Sequence, residues 1–475
     1  MALAATLGFP PSAWGLQPSP PALERVNLAD GGKHYEGLVE SEDDTWIYFI
    51  QIQRPTGRPT HLVVRTLDRR TVASVVRLDA PQRAMLRQQI EQFVNRAAIE
   101  AGRMEAVVLV PLQKEGNHYQ HYAGKWFTLD STAEPQTVRR VVVRVEQVFA
   151  AYRQMLAPRN RPARPPRLVV FDSMEQYQSL LAPRGLKILN RACFLEGDNL
   201  VAVGSELAHL NIRTARVNTQ VELIQRELKE LEKRLEMRRK ELADAMREEG
   251  RSRSEIAGSL AMLQRQFDAD VAHMRNDLQR YQRETAQTFE NSTRQMFARI
   301  YHESFHAYLE NYVYPHQKYD VPRWLNEGLA VMFEGGVLEA GSLRVDAPNA
   351  AALARLKADL DGPQPLALQQ VLSTDPAAFL QLHDTASSAS DRLYAYAWGL
   401  AYYLAFEKHL LDSPALEQYV APAARQLGPV PRLERLVGMS LGKFEQDWRE
   451  YIRVQKAAPQ QVSRFPVSTA AASAN

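Results

Sequence analysis

The chain has 475 residues, 45% of them hydrophobic and 24% charged, and 58 Lys+Arg against 55 Asp+Glu leave a net charge of +3. That length exceeds one ordinary hydrophobic core, so roughly two to four domains are expected, and the near balance of charge gives no basis for nucleic-acid binding. The single cysteine, Cys193, excludes an internal disulfide and a Cys-rich metal site and reads as a small buried hydrophobe beside a strand.

Residues 1–19 form a leader. Met1–Gln17 is apolar, lacks Lys and Arg, and is interrupted by Pro10-Pro11, while Ala13-Trp14-Gly15 loosely resembles a signal-peptidase site. Two readings stand: a signal-peptide remnant, which slightly favours export, or a disordered leader. No apolar run reaches the ~18 residues needed to cross a bilayer.

Residues 20–80 read as a small SH3-like β-barrel. After a turn at Leu28–Lys33 come four short runs rich in Val, Ile, Tyr and Thr: 35–40, 45–53, 61–67 and 71–78. A connecting helix is expected over 81–101, then strands at 106–110 and 126–129, with His118 and His121 in a polar turn. The spacing of Val138, Val141, Val142, Val145, Val148 and Phe149 predicts a helix over 135–155. Pro158–Arg167 is basic and Pro-rich, a stiff solvated connector or an anionic docking site. Strand 168–171, helix 174–181 and a hairpin of 192–195 with 200–203 follow.

Residues 210–295 differ in kind. Val217, Val221, Ile224, Leu228, Leu231 and Leu235 recur at spacings of four and three, and Leu242 continues the stripe. The pattern breaks at Glu248–Ser254 and resumes with Ile256, Leu260, Leu263, Phe267, Val271, Met274, Leu278 and Tyr281. Two arms of similar length predict an antiparallel coiled-coil hairpin; self-association through an intermolecular coiled coil is the rival. Beyond 345 the pattern is helical to about 455, and the tail 456–475 is expected to be disordered.

The second arm leads into His302-Glu303-Ser304-Phe305-His306, an HExxH motif within a helical pattern. Positions i and i+4 share one helix face, so both imidazoles can meet one ion, Zn2+ by this donor choice. Glu303 lies about a hundred degrees around the helix from His302, where it can take a proton from zinc-acidified water without being a ligand. A catalytic zinc needs a third protein ligand. Glu327, 327 − 306 = 21 positions on, follows a Pro- and Asp-containing loop in Trp324-Leu325-Asn326-Glu327-Gly328-Leu329-Ala330. Gly328 would let this second helix pack closely against the first. Glu334 and Asp320 are candidates to accept the outer N–H of a ligating histidine, against the alternative of plain surface charges. His316 is read as a solvated loop histidine.

HExxH followed by W-L-N-E-G-L-A resembles the gluzincin metallopeptidases, above all bacterial members of the peptidase MA-like superfamily. The resemblance implies zinc on His302, His306 and Glu327, Glu303 as general base, and a tyrosine donating to the oxyanion. Leu393-Tyr394-Ala395-Tyr396-Ala397-Trp398-Gly399 supplies Tyr394, with Tyr396 the neighbouring alternative. It implies an α+β, zincin-like peptidase domain over 118–455, with a small mixed sheet, a helical C-terminal subdomain and the 210–295 hairpin inserted. The strand 200–203 would be the edge along which a peptide or protein substrate lies. A gating or partner-docking hairpin and an inert insertion both stay open. The contrasting expectation is a non-catalytic scaffold with a vestigial zinc site, acting through the hairpin on a protein partner.

Overall fold

The computed structural model describes residues 22–29, 32–53, 60–114, 116–186, 190–339, 342–345, 348–375 and 388–456. The expected leader, and all but Lys456 of the expected tail, lie outside them. The fold is mixed α+β, and no helix among the described residues is long and apolar enough to cross a membrane. The chain divides into two compact units. One centres on Arg77–Pro315. The other holds Glu24–Val76, His316–Leu338 and the chain from Leu343 onward.

Five strands open the chain: β1 (Glu24–Leu28), β2 (His34–Glu42), β3 (Trp46–Gln53), β4 (His61–Asp68) and β5 (Val72–Val76). They form one sheet in the order β4-β3-β2-β1-β5. The sheet differs from the expected barrel in two ways. Glu24–Leu28, ahead of the predicted turn, is a strand, and among the described residues β4 and β5 do not pair, so no barrel closes. Val26, Val39, Ile47 and Phe49 form its buried cluster, with Leu67 on β4 and Val72 and Val75 on β5 packed against it, while Val64 on β4 stays exposed. A bulge displaces the β2–β3 register between Val39 and Ser41. The Val39 N–H donates instead to the buried Glu24 carboxylate at 2.7 Å.

The first unit begins with α1 (Ala80–Val94) and α2 (Arg96–Ala106). A single helix was expected here; the backbone leaves helical geometry at Asn95 (φ −90°, ψ 11°), and the second helix runs through residue 106, where a strand was predicted. Then come β6 (Val110–Lys114), β7 (Asn117–Ala123), β8 (Thr128–Ser131), α3 (Pro135–Met155), β9 (Arg167–Phe171), α4 (Met174–Leu181), β10 (Ala192–Leu195) and β11 (Leu200–Gly204). The six strands make a mixed sheet in the order β10-β11-β9-β8-β7-β6. The stretch holding His118 and His121 is therefore strand β7 and not a turn. Its polar side chains find cross-strand partners, His121 Nδ1 lying 2.7 Å from Asp130 Oδ1. The expected edge strand, 200–203, is internal. β11 pairs antiparallel with β10 and parallel with β9 and is buried throughout, so β10 is the edge. The predicted valine helix, α3, buries the six apolar positions that defined it.

The Pro-rich connector is strapped down. The N–H groups of Arg159 and Asn160 both donate to the Tyr312 carbonyl, at 2.7 and 2.8 Å, and Pro166 accepts from Thr128 N–H at 3.0 Å. Prolines cannot donate, so the remaining main-chain donors carry the attachment.

The coiled-coil expectation resolves into α5 (Leu207–Glu248) and α6 (Arg253–Tyr308). Gly250, at φ 72°, turns the chain between them, and Ser252 starts α6 with a reciprocal capping box to Glu255. The arms pack on each other within one chain: Ile224, Leu228 and Leu231 meet Phe267, Val271, Met274 and Leu278. Ile224, Leu228 and Val271 are buried and the others partly so; full burial of one such side chain contributes about 1.5–3 kcal/mol. The 56 residues of α6 run unbroken from the hairpin turn into the HExxH motif, a rod of about 84 Å at 1.5 Å per residue.

The chain continues with α7 (Arg323–Glu334), β12 (Val337–Glu339), β13 (Ser342–Arg344), α8 (Ala350–Leu360), α9 (Leu368–Leu372), α10 (Ser388–Phe406), α11 (Pro414–Val420), α12 (Pro429–Val437) and α13 (Leu441–Val454). Trp398 and Trp448 are fully buried in this helical assembly. The loop that delivers the chain into α7 is held from α12. Buried Arg432 donates Nε to the Tyr419 carbonyl at 2.6 Å and Nη1 to Asp320 Oδ2 at 3.0 Å, with Nη2 on the Asp320 carbonyl. Arg432→Met is expected to cost about 3 kcal/mol, because it leaves buried acceptors without their charge-assisted donor. Thermal melting checks this, and an unchanged midpoint would show that the loop needs no such anchor.

Candidate metal centre

The helix that carries the motif is seated by aromatic hydroxyls. Tyr152 OH on α3 donates to the Tyr301 carbonyl at 2.5 Å, and Tyr308 OH donates to the Leu156 carbonyl at 2.6 Å. Phe149, Tyr152 and Phe305 interlock beside them with ring centroids 5.4 Å apart. Earlier along α6, Arg144 lies between Glu100 and Glu290, at 3.4 and 3.3 Å. α6 ends in a π turn, Leu309–Val313, and the Tyr312 hydroxyl there donates to the Trp126 carbonyl at 2.8 Å.

On this helix His302 and His306 sit one turn apart, their ring centroids 4.7 Å from each other and the planes at 82°. Glu327 on α7 is 0% exposed. His302, His306 and Glu327 each offer a ligand atom, and these atoms all lie within 4.8 Å of one another. Two imidazole nitrogens and a carboxylate oxygen, all buried, are a donor set that could hold a metal ion: bonds of about 2.1 Å place tetrahedral ligand atoms about 3.4 Å apart. Arg323, one turn earlier on α7, supplies countercharge to the buried carboxylate, its Nη2 lying 2.6 Å from Glu327 Oε1. The i, i+4 spacing of Arg323 and Glu327 was the available sequence signal for this pair.

Glu303 is 8% exposed, and its Oε2 accepts the main-chain N–H of Phe194, on the edge strand β10, at 2.9 Å. Nothing in the sequence pointed to Phe194, since the contact involves no side chain of that residue.

The other candidates separate on geometry. Tyr396 is buried and its hydroxyl donates to Asp359 Oδ2 at 2.7 Å; Arg392 holds the other oxygen at 2.5 Å. Burial and the bond to Asp359 push the Tyr396 phenol well above its ordinary range. Burial works against ionisation of Asp359, yet the bonds from Arg392 and Tyr396 keep its carboxyl below the usual value. Tyr394 is only half-buried. Asp320 is taken up by Arg432 and Arg425, at 3.0 and 2.9 Å, and so braces the loop into α7. Glu334 closes α7, half-buried, and His316 is exposed. Cys193 is buried, with its thiol pushed up to about 11 by burial.

Gly328 corrects an expectation. A Cβ there would lie 2.2 Å from the Ala397 carbonyl oxygen and 2.9 Å from the Ala401 Cβ. The glycine lets α7 press against α10, the tyrosine-bearing helix.

A family model matches residues 296–419, and its description is a protein of unknown function, DUF1570. The matched segment contains His302, Glu303, His306, Glu327 and Tyr394. No curated protein and no solved structure matches the chain.

Proposed function

We propose that the protein is a zinc-dependent peptidase of the gluzincin type, with a zincin-like catalytic domain. The observation that carries this reading is the buried His302, His306 and Glu327 group with Glu303 adjacent on the same helix. A zinc ion held by those three side chains supplies Lewis acidity toward a peptide carbonyl and acidifies water. Glu303 takes the proton of the attacking water and returns it to the leaving nitrogen. Tyr394 donates its hydroxyl to the oxygen on which negative charge develops. An extended peptide pairs along β10, the open edge of the sheet. A purely structural metal site needs no base beside its ligands, which favours catalysis over a scaffold that works through the α5–α6 hairpin alone.

The test is metal content with turnover on a quenched-fluorescent peptide library, for wild type and Glu303→Ala. About one zinc per chain in both, with cleavage only in wild type, is the expected result. Wild type without zinc would make the hairpin scaffold the better account. The two tyrosines give a further prediction. Tyr394→Phe is expected to lower kcat about a hundredfold with KM little changed. Tyr396→Phe, which strips a donor from Asp359, is expected to cost about 1–2 kcal/mol of stability instead. The reverse pattern in kinetics and melting would assign the oxyanion donor to Tyr396.

A further inference from the structure

The bond between Phe194 and Glu303 has a geometry that ordinary sheet pairing explains only in part. Gly204 N–H donates to the Arg191 carbonyl at 2.7 Å, so those two residues form a hydrogen-bonded pair of the β10–β11 ladder. Antiparallel ladders alternate. With Cys193 opposite Ala202 and Phe194 opposite Val201, Cys193 is turned toward β11, and Ala192 and Phe194 turn their main-chain groups away from it. The Phe194 N–H is therefore a spare donor on the open edge, and its acceptor is Glu303 Oε2.

The strand that offers this donor is itself fixed. Asn199, in the turn between β10 and β11 at φ 48°, exchanges amide hydrogen bonds with Asn311 in the π turn, at 2.8 and 3.0 Å. Asn311 also donates to the Ala307 carbonyl at 2.8 Å. The hairpin is thus tied to the motif-bearing helix at two places, Glu303 and Asn311. A carboxylate acceptor makes the first tie a charge-assisted bond, stronger than a neutral one.

We infer that the main-chain N–H of Phe194 is the positioning donor for Glu303. It anchors Oε2, sets the plane of the carboxylate, and leaves Oε1 as the oxygen that exchanges protons. This rests on the reading of Glu303 as general base. The donor is backbone, so any residue at 194 except proline supplies it.

The experiment uses the zinc-loaded full chain. Phe194→Pro removes the donor, and because that N–H faces away from β11 it breaks no ladder bond. Phe194→Ala removes the ring and keeps the donor. Expected are wild-type zinc content and a melting midpoint within a few degrees for both. kcat falls about tenfold to a hundredfold further in the proline variant than in the alanine variant. Equal losses in both variants would assign the effect to the ring and overturn the inference.

A second readout needs neither turnover nor the proline variant. Cys193 is the only cysteine, so 13C-carbonyl cysteine with 15N-phenylalanine selects a single amide, that of Phe194. Its proton is expected downfield in wild type and upfield in Glu303→Ala. No movement overturns the inference. Movement in a wild type that cleaves no peptide supports the contact and overturns the peptidase reading instead.

Discussion

Glu327→Ala is expected to abolish metal binding. Glu327 is the only carboxylate of the three-residue group and is wholly buried. Without it two imidazoles on one helix remain of the three donors, and the donor set carries no charge of its own to offset a divalent ion. The substitution also strands Arg323, whose guanidinium lies 2.6 Å from Glu327 Oε1. A cation left near the two rings repels the metal, so the variant loses a ligand and gains an electrostatic penalty. Metal content after dialysis is expected to fall from about one zinc per chain toward none. Thermal melting gives an independent measure. Saturating wild type with zinc at about a hundred times its dissociation constant adds about 2.7 kcal/mol of stability, and the variant is expected to show no such gain. Stoichiometric zinc in Glu327→Ala would exclude this residue as a ligand.

The second large effect is steric. Gly328→Ala puts a methyl 2.2 Å from the carbonyl oxygen and 2.6 Å from the carbonyl carbon of Ala397. Both are backbone atoms of α10, so no side chain can swing aside and the two helices must part. Overpacking of this kind costs about 3 kcal/mol. Glu327 is the preceding residue on the same helix, so the movement that relieves the clash also displaces the carboxylate. The expected result is a lower melting midpoint together with weaker zinc binding. Gly258, where a Cβ would meet nothing within 4 Å, is the control, and alanine there is expected to leave zinc binding unchanged and to raise the midpoint slightly, since alanine is the better helix former. Wild-type zinc affinity in Gly328→Ala would separate the packing of α7 on α10 from the metal centre.

The contrast between these residues shows where the chain's information lies. His302 and His306 share a face because any helix places i and i+4 together, and that pairing was readable before any tertiary contact existed. Glu327 was readable as the carboxylate 21 positions beyond His306, on a second helix start that follows a Pro- and Asp-containing loop. The α5–α6 arms were readable because a heptad stripe left unpaired stays wet. In each case the signal is a local period or a charge that needs a partner. Periodicity says which face is covered and does not name what covers it. Gly328 announced a close approach, but only packing chose α10. β10 and β11 were both readable as strands, yet their order in the sheet depends on long-range pairing, which made β10 the edge. Tyr394 and Tyr396 stand two residues apart in one helix and differ by their surroundings alone, Asp359 and Arg392 claiming the second. β7 escaped notice because its polar residues carry no apolar alternation, His121 instead meeting Asp130 on the neighbouring strand. The Phe194 N–H was invisible in principle, since every residue but proline carries one. The sequence by itself determined the three candidate donor residues and the elements that bear them. The tertiary structure alone decided the neighbours that hold those groups, because neighbours are set by packing between segments far apart in the chain.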